Sequence, residues 1–175
     1  YGVALNTGQF TGSYDGGYHT IDGMVYIFPY VSGLFYYLNG EVRNLGLTNV
    51  SLGSGVDPDN GAGLVNILYE NGRIENCYTT GALKGDVSRS LGGLVGLMYG
   101  GTVSNCYSTA SVETIDARNT GGLIGETRGG SIVNSYSSGF VKGATNTGPG
   151  VPLFQGGFIG RAAAATVTNC YWDVE

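Results

Sequence analysis

The chain has 175 residues, a formal net charge of −5, only 12% charged positions, 33 glycines and 13 tyrosines. Low charge with high aromatic content excludes a disordered segment, and glycine without a three-residue period excludes collagen. Eight Lys and Arg scattered along the sequence offer no basic stripe for nucleic acid, and apolar runs of a handful of residues are too short for a membrane span.

Residues 1–32 alternate turn signals with short β-prone pieces. Asp15-Gly16 and Asp22-Gly23 are turn dipeptides, and Met24 to Phe28 is an apolar run of strand length closed by Pro29. One or two irregular leading coils are expected here, covering an end whose backbone groups would otherwise stay unpaired. The chain opens on Tyr1 without a signal-peptide pattern, as expected of a processed product or an excised fragment.

From residue 33 to 175 the wording repeats. Gly33, Gly63, Gly93, Gly122 and Gly157 stand 30, 30, 29 and 35 residues apart, and Asn44, Asn76, Asn105, Asn134 and Asn169 follow at 32, 29, 29 and 35. A period near thirty means that one unit cannot bury its own apolar face and must stack on its neighbours. Each unit opens with a short apolar piece such as Leu64-Val65, passes a glycine turn, and reaches Val42, Ile74, Val103, Ile132 or Val167 two residues before the asparagine. A third β-prone piece, such as Ser111-Val112, ends it. No stretch keeps helical spacing beyond a turn. The expected fold is all-β: a right-handed parallel β-solenoid of about five coils, roughly 4.8 Å apart, after the irregular lead-in. The insertions 53–60, 85–91 and 142–155 fall between the third piece and the next Gly-Leu, so all three are expected at one loop-bearing corner.

The asparagines are read as a structural ladder: Asn tolerates left-handed backbone, and its amide can bond the equivalent amide one coil away. Cys77, Cys106 and Cys170 follow, with Leu45 and Ser135 in the same place, and read as thiols packing as small hydrophobes. Next come Tyr78, Tyr107, Tyr136 and Tyr171. A bend at the asparagine turns the cysteines in and the tyrosines out, as an aromatic strip suited to sugar rings or a protein surface. Without a bend the tyrosines fill the core. Asp57 and Asp59 supply the oxygen-rich half of a Ca2+ loop without its remaining ligands, so a plain surface turn is favoured and no cofactor or metal is expected. His19 is the single histidine, and Asp86, Glu113 and Asp116 near the corner lack any specifying spacing, so no enzyme is expected. Asn49-Val50-Ser51 has the form of a glycosylation acceptor.

Gly-Leu-Val-Gly or Gly-Leu-Ile-Gly, a glycine turn, then Val-x-Asn-Cys-Tyr-Ser-Thr closely resembles the GLUG-motif repeat family, over about residues 32–175. The ending Asn169-Cys170-Tyr171-Trp172-Asp173 is similar to that family's final repeat, while Ala162–Ala165, Asn66-Ile67 and Phe35-Tyr36 depart from its pattern. Such repeats occur in large bacterial surface and secreted proteins, including adhesins and surface-anchored peptidases. The resemblance implies a structural or adhesive segment of an extracellular or cell-surface protein. Its expected partners are a host or matrix glycan or protein, with no nucleic acid and no membrane span. Two alternatives stand beside it: an extracellular filament subunit associating end to end, and a carbohydrate-active β-helix enzyme.

Overall fold

A computed structural model describes residues 8–26, 32–52, 59–85, 89–145 and 152–173. The described residues hold strands and turns and no helix, and every strand pairing is parallel between equivalent places in successive repeats. The fold is an all-β parallel solenoid. One ladder runs through Gln9–Phe10, Phe35–Leu38, Val65–Leu68, Val95–Met98, Ile124–Thr127 and Ile159–Ala162. A second joins Asn60–Ala62, Ser90–Gly92, Asn119–Gly121 and Phe154–Gly156. The third is wider because Glu41–Leu52 runs unbroken where later coils use separate strands, such as Thr102–Ser104 and Tyr107–Ser108.

Register follows the repeated wording. Val42, Ile74, Val103, Ile132 and Val167 pair in line, as do Gly46, Tyr78, Tyr107, Tyr136 and Tyr171. The core is these columns seen end-on. Leu34, Leu64, Leu94, Leu123 and Phe158 form one buried column, and Val42, Ile74, Val103 and Ile132 form another within the same cluster. Burying each such side chain contributes roughly 1.5–3 kcal/mol, which a single coil could not collect alone.

The glycine column sets how closely the coils approach. A Cβ on Gly63, Gly93 or Gly122 would collide with the carbonyl oxygen of the equivalent glycine one coil on. Across the interior, Thr79 Oγ1 donates to the Gly93 carbonyl at 2.8 Å and Ser137 Oγ to the Gly157 carbonyl at 2.5 Å. The hydroxyls that follow Tyr78 and Tyr136 therefore each satisfy a glycine carbonyl at the opposite corner, a role that the sequence reading did not assign.

The lead-in is a layer of the same stack. Ser13–Asp22 pairs in parallel with Glu41–Leu52, its register shifting between Asp15 and His19, where Gly17 and Tyr18 take positive φ. Phe10 and Tyr14 lie against Phe35, with ring centroids 5.1 and 5.8 Å apart, and close that end of the core. Of the three insertions, 53–58, 86–88 and 146–151 lie outside the described residues. The described strands that follow them, Asn60–Ala62, Ser90–Gly92 and Phe154–Gly156, all belong to the same four-stranded ladder.

Candidate functional site

Asn44, Asn76, Asn105, Asn134 and Asn169 all take left-handed backbone, with φ between 50° and 53°. Asn76, Asn105, Asn134 and Asn169 each bend the chain between two strands, and Asn44 takes the same backbone within Glu41–Leu52, so the following side chain turns inward and the next place faces out. Asn76 Nδ2 donates to Asn44 Oδ1 at 3.0 Å, Asn134 to Asn105 at 3.3 Å, and Asn169 to Asn134 at 3.2 Å. Asn44 Nδ2 extends the row to Asp15 Oδ1 at 3.0 Å. Alanine here loses the amide and strains the backbone; glycine loses only the amide. We predict that Asn134→Ala destabilises by about 2 kcal/mol and Asn134→Gly by about 1 kcal/mol in urea unfolding. Equal losses would show that backbone strain plays no part.

Cys77 and Cys106 are buried, Cys170 is half-buried, and all three are free thiols. Cys106 Sγ accepts the Cys77 N–H at 3.4 Å while its own thiol donates to the Ser104 carbonyl at 3.1 Å. Ser135 does the same work: it accepts the Cys106 N–H at 3.1 Å and donates to the Val133 carbonyl at 2.8 Å. Burial pushes the Cys106 thiol well up, which keeps it protonated and unreactive.

The tyrosines stand outside. Tyr78 and Tyr107 stack at 4.8 Å and 1°, and Tyr107 and Tyr136 at 5.0 Å and 7°. Exposure rises to 40% at Tyr136 and 68% at Tyr171. Gly46 heads the column because a side chain there would meet the Tyr78 ring. The rings lie face to face along the stack, so their faces cover one another and solvent meets their edges. The strip therefore offers edges and hydroxyls. Burial, then neighbouring Tyr78 and Tyr136, raise the Tyr107 phenol. A second aromatic row escaped the sequence reading. Tyr69 stacks on Tyr99 at 5.6 Å, Tyr37 sits 5.9 Å from Tyr69, and the Arg128 guanidinium lies 5.3 Å over Tyr99.

The other singled-out residues do not converge. Asp57 and Asp86 lie outside the described residues, and Asp59 is an exposed side chain whose carbonyl accepts the Arg89 N–H at 2.8 Å. Among the described residues no three His, Cys, Asp or Glu gather in a metal-holding group. Glu113 pairs with Lys84 at 2.5 Å, while Asp116 and His19 are exposed. Asn49 Nδ2 donates to Asp22 Oδ1 at 2.8 Å, so its amide is already engaged.

The arginines contradict the scattering read from the sequence. Arg89, Arg118, Arg128 and Arg161 line one cleft of about 170 Å³, half of the chain's eight Lys and Arg. One carboxylate, Glu126, sits at its floor, 2% exposed. Its oxygens accept from Arg128 Nε and Arg161 Nη1, both at 2.9 Å, and from Asn119 Nδ2 at 3.1 Å and Ser90 Oγ at 3.3 Å. Burial pushes Glu126 up, but Arg128, Arg161 and Ser90 together outweigh it and hold the carboxyl below its usual range. Phe154, 39% exposed, forms a wall with Arg161 5.4 Å over its ring.

Comparison with known proteins places two likenesses on this geometry. Residues 87–113 match the GLUG motif. The fold is similar to the crystal structure of a candidate immunoglobulin A1 protease from Bacteroides ovatus, with a TM-score of 0.69 and 22% identity, over 90% of this chain and 59% of that one. At that identity the likeness is one of fold, and the chain spans less than two thirds of its neighbour's length. No curated protein sequence matches the chain.

Proposed function

From a GLUG-motif match and a parallel solenoid as premises, we propose that this chain is a rigid, non-catalytic scaffold segment of a secreted or cell-surface protein, adhesive through its tyrosine row. In this reading five coils wind right-handedly behind the lead-in. The carrying observation is the parallel-ring stack of Tyr78, Tyr107 and Tyr136, spaced 4.8 and 5.0 Å. It gives a row of aromatic edges and phenol hydroxyls that loses little side-chain entropy on contact. Such a row suits a protein surface or the hydroxyls of a matrix glycan.

The likeness to the Bacteroides ovatus structure supports the scaffold part of this reading through fold alone. The adhesive part is tested by binding to immobilised extracellular-matrix proteins and a glycan array. We predict that the Tyr107→Ala/Tyr136→Ala double variant, folded by circular dichroism, binds its target about tenfold more weakly. Unchanged binding by that variant, or no binding by the parent chain, removes the adhesive role. Sedimentation of the same samples separates the filament alternative, and a reducing-sugar assay on a polysaccharide panel separates the enzyme.

A further inference from the structure

We infer that the arginine cleft between the four-stranded and six-stranded ladders is a binding site for a carboxylate-bearing sugar unit, on a different face from the tyrosine row and independent of it. Charge supplies the first argument. Elsewhere Arg43, Arg73 and Lys84 each lie beside a carboxylate. In the cleft, Arg128 and Arg161 share Glu126, and among the described residues no carboxylate pairs with Arg89 or Arg118. Those two occupy equivalent places in adjacent coils, because the Asn119 N–H donates to the Arg89 carbonyl at 2.9 Å. Their backbones are therefore about 4.8 Å apart. Two exposed like charges held that close repel each other unless an anion lies between them.

Guanidinium forks match a planar carboxylate with paired hydrogen bonds. Glu126 fixes the other two arginines by charge-assisted bonds of 2.9 Å, so half of the cationic lining is already in position. Size and lining narrow the ligand further. A cleft of about 170 Å³ falls below the ~300 Å³ at which pockets for drug-sized molecules begin, so it takes one ring rather than a chain. Phe154 and Pro152 give it an apolar wall, against which the C–H face of a pyranose packs while its carboxylate meets the forks. A bare inorganic anion would leave that wall wet. The chain's net charge of −5 repels anions generally, so attraction is confined to this cleft.

The test is a nuclear magnetic resonance titration of the whole chain with sodium glucuronate and sodium N-acetylneuraminate at low ionic strength. The expected result is saturable shifts at the Asn119 side-chain amide for at least one acid, with glucose giving none. Arg89→Ala/Arg118→Ala weakens binding about tenfold or more, and adding 0.5 M salt weakens it further. Because both arginines are exposed, the double variant keeps its thermal midpoint within about 2 °C. Tyr107→Ala/Tyr136→Ala leaves the titration unchanged, which separates this site from the tyrosine row. The inference falls if the parent chain shows no shift with either acid, if glucose shifts the same signals equally, if sodium sulfate competes at equal concentration, or if the arginine variant binds as the parent does.

Discussion

Gly122→Ala is expected to abolish the ordered stack, with a loss above about 4 kcal/mol and no cooperative melt by circular dichroism. The added methyl falls on the carbonyl oxygen of Gly157, and Ser137 blocks the other side within 3.1 Å. Neither neighbour can give way. Leu123 N–H is bonded to the Phe158 carbonyl at 2.9 Å and Gly122 N–H to the Gly156 carbonyl at 3.3 Å, so relief means parting two coils and their ladders. Gly12→Ala is the control, since its nearest neighbour is the Phe10 ring at 3.3 Å, a side-chain edge that need shift only slightly rather than backbone. That variant should melt within about 0.5 kcal/mol of the parent. A folded Gly122→Ala protein would mean that coil spacing is set elsewhere.

Ile132→Ala is expected to lower stability by about 3 kcal/mol in urea unfolding, against less than about 1 kcal/mol for Val167→Ala. The two side chains hold the same place in adjacent coils. Ile132 is fully buried between layers, while Val167 is 46% exposed. In a stack where each layer touches only its neighbours, truncation is felt in proportion to the layers on either side. Matching losses at the two sites would show Val167 to be covered in solution.

The period, the asparagine bends and the inward cysteines were legible because each is a one-position rule repeated in register. One copy of Asn-Cys-Tyr carries little information; the same order near Asn76, Asn105 and Asn169 fixes which side chain points in. The arginine cleft was hidden for the opposite reason. Arg89 and Arg118 share a column, but Arg128 and Arg161 come from two others, and the 35-residue step from Gly122 to Gly157 offsets the last coil in sequence though not in space. The Tyr69–Tyr99 row was masked by Asn39 and Arg128 in its flanking coils. That tyrosine faces are spent within the column depends on ring orientation, which spacing does not carry.

Spacing between successive glycines stretches from 29 to 35 residues, yet Ile124 still meets Ile159 and Asn119 still meets Phe154. Extra length is absorbed entirely at the seam before the four-stranded ladder, and pitch is untouched. A foreign peptide spliced in beyond Gly143, whose N–H is held by Gln155 Oε1 at 3.0 Å, would thus leave the described rungs on either side of the seam in place.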